Sequence, residues 1–215
     1  MNDIARKALA EALATLLFVF TIITAVAAAD NFAPVAIGMA LMVLVYSTGH
    51  ISGGHVNPAV SLGAWIRGAM TATEMLIYWA AQIVGGILGA LLTRAVISDP
   101  VEAAQIQSLP AFVVEAVFTF ILVWVVLNVA TSKETDGNSF FGLAIGATVM
   151  TGAFAVGPIS GGGFNPAVAI GLCVNGNFAW DNVWLYILAP LVGAALAALA
   201  FRVLSPADVE HDLKA

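Results

Sequence analysis

The chain has 215 residues, of which 61% are hydrophobic and 9% charged, against about 25% charged in an ordinary soluble domain. Its 7 basic and 13 acidic side chains leave six uncharged windows, 12–29, 31–66, 75–93, 116–132, 137–180 and 182–201. That much apolar length excludes a water-soluble enzyme or a nucleic-acid-binding protein and marks a polytopic membrane protein, since a bilayer span needs about 20 apolar residues.

In chain order, the segment Met1 to Lys7 lacks the cleavage site of a signal peptide. Full spans are expected at 8–28, 34–50, 75–97, 110–130, 139–157 and 182–204. The windows 31–66 and 137–180 exceed one span and break at Gly- and Pro-rich stretches (Gly49 to Pro58, Gly157 to Pro166), so each holds a further short helix, at 57–66 and 165–174. Six crossings put both termini on one side. With the N-terminus inside, Arg6, Lys7, Arg67, Lys133, Arg202 and Lys214 are cytoplasmic and only Arg94 is not, which fits the positive-inside rule. Single Cys173 excludes a disulfide framework.

The chain repeats itself. Gly49 to Gly63 (GHISGGHVNPAVSLG) matches Gly157 to Gly171 (GPISGGGFNPAVAIG) at 10 of 15 positions, at an offset of 108 that also relates Ala36 to Ala144 and Tyr78 to Tyr186. Glu11 pairs with Glu115 at an offset of 104, so the second half gains four residues, most simply in the polar loop Thr131 to Asn138. Three spans per half is an odd number, which inverts the second half relative to the first about an axis in the membrane plane. The expected fold is therefore an all-α membrane protein, six transmembrane helices plus two re-entrant half-helices. It forms one domain over 1–215, with repeat one at about 8–97, repeat two at about 110–204 and a short cytoplasmic tail at 205–215.

Non-helical backbone at membrane depth persists only where protein or a water-filled cavity satisfies it. Ser52-Gly53-Gly54-His55 and Ser160-Gly161-Gly162-Gly163 read as extended loops with free carbonyls along a pathway, leading into Asn57-Pro58-Ala59 and Asn165-Pro166-Ala167. Asn suits the N-cap and Pro the first helical position. Two such helices entering from opposite faces bring two positive dipole ends together at the centre, repelling cations. Each Asn also offers amide donors that orient a water file and interrupt proton hopping.

The paired Asn-Pro-Ala motifs with their Ser-Gly-Gly lead-ins closely resemble the major intrinsic protein family, the aquaporins and glycerol facilitators, over about Ala10 to Phe201. The resemblance implies an aquaporin-like fold, a homotetramer with one pore per subunit, and loop-bracing roles for Glu11 and Glu115. The alternative for these two acids is a proton relay, although their repeat-equivalent positions favour symmetric braces.

The sequence departs from the family where most members carry Arg after the second motif. Here that residue is Val168, and gapless offsets place the other outer-filter positions at Ile37, Ala153 and Gly162. This quartet is apolar and mostly small, without the fixed cation of a water-specific filter. Ala169 and Cys173 also stand where glycerol facilitators have Asp and a basic residue, and the nearest pattern is that of the tonoplast-type plant aquaporins, some of which also follow the second motif with Val. Such members tend to pass ammonia, urea or peroxide as well as water.

The remaining polar residues suggest no second chemistry. His50 and His55 flank the first Ser-Gly-Gly without a carboxylate or Cys to complete a metal site, and Trp180 and Trp184 suit interfacial anchoring. Cys173 lies eight residues past Asn165, outside the constriction. The expectation is a passive channel for water and small uncharged solutes such as glycerol, urea, ammonia or peroxide. It would exclude ions and protons, and would have no enzymatic activity, cofactor, metal or nucleic-acid partner. The lipid bilayer is its medium, with a cell inner or plasma membrane the expected location. A channel for a neutral metalloid acid such as arsenous acid is the alternative within the fold. An ion channel or ion-coupled transporter is the alternative outside it.

Overall fold

The computed structural model describes residues 2–28, 30–97, 102–103 and 105–208. Among the described residues there are eight α-helices and no strand. They are α1 (Asp3–Ala28), α2 (Ala33–Ser52), α3 (Pro58–Arg67), α4 (Ala72–Arg94), α5 (Ser108–Ala130), α6 (Phe141–Ser160), α7 (Pro166–Asn175) and α8 (Val183–Leu204). Six are long and apolar enough to cross a bilayer. The other two, α3 and α7, have 10 residues each and at 1.5 Å per residue reach about half its depth.

Burial follows the logic of helices in lipid, where small residues rather than large apolar ones mark the interfaces. On α1, Leu9, Leu13 and Leu17 are exposed while Ala10, Ala14 and Thr15 are buried. Helix α1 packs on α4 and α5 on α8, the same pairing in each repeat. A Cβ on Gly85 would lie 2.2 Å from the carbonyl oxygen of Ala12, and one on its repeat mate Gly193 would lie 2.2 Å from that of Ala116. Helices α2 and α6 cross on the pseudo-two-fold itself. There a Cβ on Gly38 would meet the Gly146 carbonyl at 2.7 Å, and one on Gly146 the Gly38 carbonyl at 2.4 Å.

The observed boundaries differ from the expected ones where local capping decides. Helix α1 begins at Asp3 rather than residue 8, because the Asn2 side chain accepts from the Ala5 amide at 2.9 Å and Asp3 pairs with Arg6 and Lys7 at 2.9 and 3.0 Å. Helix α4 begins at Ala72 behind a reciprocal capping box between Thr71 and Glu74, and ends at Arg94 rather than 97. Helices α2 and α6 run through Gly49 and Pro158 to Ser52 and Ser160. Each stops at a glycine in the left-handed region, Gly53 (φ 90) and Gly161 (φ 86). The non-helical breaks are thus shorter than the Gly/Pro pattern suggested. The α5–α6 connection, with a 3-10 turn at Lys133–Thr135, is longer than the one between α1 and α2.

Candidate pore

The breaks between α2 and α3 and between α6 and α7 meet at the centre of the bundle, and each half-helix begins there on its asparagine. Asn57 Oδ1 accepts from the Ala59 amide at 2.8 Å, and Asn165 Oδ1 from those of Ala167 and Val168 at 2.9 and 3.3 Å. The side-chain amides cross over to the other repeat. Asn57 Nδ2 donates to the Phe164 carbonyl at 2.9 Å and Asn165 Nδ2 to the Val56 carbonyl at 2.7 Å. Each amide keeps a second N–H.

The two accepting residues, Val56 (φ 53) and Phe164 (φ 47), lie in the left-handed region, which costs a bulky side chain about 1–3 kcal/mol. Both are held from the other side by a carboxylate. Glu11 accepts from the Val56 amide at 2.7 Å, the His55 amide at 3.0 Å, the Ser52 hydroxyl at 2.6 Å and Gln82 Nε2 at 2.8 Å. Glu115 accepts from the Phe164 amide at 2.6 Å, the Gly163 amide at 2.9 Å and the Ser160 hydroxyl at 2.6 Å. Both glutamates are fully buried. A carboxyl group accepting several N–H and O–H bonds satisfies loop donors that would otherwise be orphaned.

The tyrosines that marked the repeat have the same task. Tyr78 donates to the Ser52 carbonyl at 2.8 Å, and Tyr186 donates to that of Ser160. Ser52 and Ser160, expected along the lining, instead turn their hydroxyls to the glutamates, since a buried hydroxyl needs a partner more than a pore needs a fourth residue. Gln82, which the sequence did not single out, completes the first brace and also donates to Ser61 Oγ at 3.1 Å. Its repeat mate would be residue 190, which is Pro, so internal symmetry could not reveal it.

A cavity of about 250 Å³ threads this centre. Asn57, Asn165, Gly54, His55 and Gly161 to Gly163 line it midway, and Ile37, Ala153, Gly162 and Val168 all line it toward the face opposite the N-terminus. Gly53 lines a separate cavity on the N-terminal face instead. A Cβ on Gly162 would lie 3.6 Å from Ala153 Cα, so those two positions are direct neighbours. None of the four side chains carries a hydrogen-bonding group. Around them are Phe18, Ile22, Leu41, Leu172 and Phe178, together with Glu102 and Asn177, which periodicity alone did not find. His55 is fixed by Ser61, 3.0 Å from its Nδ1, and by an edge-on contact with Tyr78. Cys173 is buried beside this cavity without lining it.

The outer ends of the half-helices are capped by a repeat-related pair of cations. Arg94 donates to the Val174 carbonyl at the end of α7, and Arg202, 108 residues later, donates to the Ile66 carbonyl at the end of α3 at 2.8 Å. Cations there complement the negative ends of both dipoles. On the N-terminal face, Gly49, Gly53, Phe141 and residues 129–133 and 135–138 enclose a vestibule of about 370 Å³. Arg67 fixes its rim by donating to Thr131 Oγ1 and O at 3.0 and 2.7 Å, and the buried Asp208 accepts from the Lys133 amide at 3.0 Å. Burial pushes the Asp208 carboxyl up, but its bonds to Lys133 and Ser132 and the nearby Arg67 and Lys133 charges outweigh that and hold it below the ordinary carboxylate value.

Comparison with known proteins agrees with this geometry. A family model described as Major intrinsic protein matches residues 1–201. The "Glycerol uptake facilitator protein-like 6" of Lactiplantibacillus plantarum is 38% identical, with 94% of this chain and 100% of that protein covered. "Aquaporin TIP1-2" of Zea mays is 36% identical, covering 94% and 87%. Among solved structures, the aquaglyceroporin from Plasmodium falciparum superposes with a TM-score of 0.82 at 22% identity, covering 95% of this chain and 98% of that one. At that identity the likeness is one of fold.

Proposed function

Because the chain belongs to the major intrinsic protein family, we propose that it is a passive channel whose apolar filter passes small uncharged solutes as well as water. The observation that carries this reading is the lining of the cavity. Its four filter positions, Ile37, Ala153, Gly162 and Val168, carry no polar side chain, whereas Asn57 and Asn165 converge on its middle. A solute crossing the filter meets no fixed cation and no side-chain donor, so its size rather than its hydrogen-bonding pattern limits entry.

The central pair supplies the barrier to charge. Two helix N-termini and two amide N–H donors face the pathway at Asn57 and Asn165. They bind the oxygen of water or a hydroxylated solute and repel a cation. Because both asparagines are anchored to the opposite repeat, their free N–H groups keep a fixed direction. A water held there points its hydrogens away on both sides, which breaks a proton wire. In this reading Glu11 and Glu115 brace the loops and take no part in transport. In the same reading both termini are cytoplasmic, which the distribution of basic residues favours. The large apolar side chains on the outside, among them Leu143, Phe154, Leu188 and Leu196, face lipid or the neighbouring subunits of a homotetramer.

The test is a stopped-flow panel on proteoliposomes with water, glycerol, urea, ammonia, peroxide and arsenous acid. The reading requires water flux together with flux of glycerol, urea or ammonia above protein-free vesicles. Arsenous acid flux alone would move the assignment to metalloid transport, and single-channel current would move it to an ion channel.

A further inference from the structure

We infer that the pore holds a second apolar filter, on the N-terminal side of Asn57 and Asn165, built from Gly54, Val60 and Ile145. His55 makes it the narrower of the two, so it sets the upper size limit for neutral solutes. This rests on the channel reading above and adds specificity-determining residues to it.

The internal repeat places the second filter. Val60 is the mate of Val168, Ile145 of Ile37 and Gly54 of Gly162, each pair 108 residues apart, and all six line the central cavity. Their places in the elements match. Val60 and Val168 are the third residues of α3 and α7, and Ile37 and Ile145 are the fifth of α2 and α6. The loop packing matches as well. A Cβ on Gly54 would lie 3.3 Å from Val45 Cα, and one on Gly162 would lie 3.6 Å from the Cα of Ala153, the mate of Val45. A single Arg at 168 would break this equivalence. With Val at both 60 and 168 the pseudo-two-fold extends from the backbone to the lining, and a solute meets an apolar ring on each side of the asparagines.

One pair departs from the symmetry. His55 stands where the other loop has Gly163, and both residues line the cavity. The imidazole is not free to swing clear. Its Nδ1 lies 3.0 Å from Ser61 Oγ, its ring meets Tyr78 edge-on at 5.3 Å between centroids, and a Cβ on Gly53 would lie 3.1 Å from its Nε2. A held ring in place of a hydrogen atom leaves less room on the N-terminal side. For two barriers in series the narrower governs a bulky solute, so relieving the wider one changes little.

The experiment measures glycerol and 2-methylglycerol, the same triol with one branching methyl, in proteoliposomes of the wild type, Val60→Ala, His55→Gly and Val168→Ala, each corrected for protein-free vesicles. His55→Gly keeps the backbone amide that Glu11 accepts and copies the residue at position 163. The 2-methylglycerol-to-glycerol ratio is expected to rise about tenfold in Val60→Ala and in His55→Gly, the order that one methylene is worth in an apolar fit, and to change little in Val168→Ala. Glycerol flux reports that each variant is folded and open, and His55→Gly carries the test if Val60→Ala does not fold. A ratio that rises in Val168→Ala and in neither of the other variants overturns this inference and leaves the channel reading intact. A wild type closed to glycerol, urea and ammonia alike overturns both.

Discussion

The amide of Asn165 donates to the carbonyl of Val56 at 2.7 Å, across the pseudo-two-fold axis and into the other repeat. Val56 is held in a left-handed conformation at φ 53, which a β-branched residue adopts only when its surroundings impose it. Its amide is fixed by Glu11 and its carbonyl by Asn165, and Phe164 is fixed in the same way by Glu115 and Asn57. The centre of the channel is therefore a closed circuit, with each asparagine aimed by a backbone that the opposite repeat has strained.

The two braces share their backbone partners but not their side-chain ones, since Gln82 joins only the first. Replacing Glu115 by Gln puts an N–H where the Phe164 or Gly163 amide needs an acceptor, leaving a buried donor unmet at a cost of about 2–3 kcal/mol. Replacing Glu11 by Gln leaves the Val56 or His55 amide unmet in the same way, with Gln82 as a further donor to accommodate. Gln82 can turn its amide over and present Oε1, a buried atom with no partner among the described residues, to the new NH2. Thermal unfolding in detergent should place Glu11→Gln and Glu115→Gln both below the wild type, and Glu11→Gln with Gln82→Leu, where the new NH2 has no acceptor, below Glu11→Gln alone. A proton-relay role predicts altered transport with stability unchanged.

Charge exclusion is assigned to the asparagines, so Asn57→Asp should weaken it. Aspartate keeps the oxygen that caps Ala59 but loses the Nδ2 bond to Phe164, and it sets a negative charge on the dipole ends. Planar-bilayer recordings should show a monovalent cation current that the wild type lacks. No current in the variant would mean that the barrier lies elsewhere.

Much of this arrangement could be read in the residues, for a definite reason. The inverted repeat prints each structural device twice, so Asn57 with Asn165, Glu11 with Glu115 and Tyr78 with Tyr186 stand out by offset. Devices without a mate stay hidden, as Gln82 does opposite Pro190. Arg94 shows a different failure. Counted only for orientation it is an exception, yet its mate at Arg202 was the signal that both cap half-helices. The strained conformations of Val56 and Phe164 had no local signature, because the residues that impose them lie about 45 and 109 positions away.

The Asp208 contact gives the N-terminal vestibule a pH dependence. A carboxyl held below its ordinary value contributes stability above the unfolded value of 3.8 and loses it as pH falls through the lower folded value. The docking of Asp208 on Lys133 should therefore be constant at neutral pH and loosen only below about pH 4. Hydrogen exchange at the Lys133 amide should accelerate, relative to neighbouring amides, at neutral pH in Asp208→Ala, which removes the acceptor, and in acid alone in the wild type. Equal exchange in both proteins at pH 7 would show that the contact holds nothing.

The central claim is that Val168 leaves the filter open to solutes, and the most direct test puts back the missing cation. Stopped-flow glycerol and water permeability should be measured in proteoliposomes of the wild type and of Val168→Arg. The account predicts that the wild type passes both, and that the guanidinium, projecting among Ile37, Ala153 and Gly162, suppresses glycerol at least tenfold (about 1.4 kcal/mol of added barrier) before water falls appreciably. A wild type that conducts water but excludes glycerol, urea and ammonia alike, or a variant that loses water first, would contradict it.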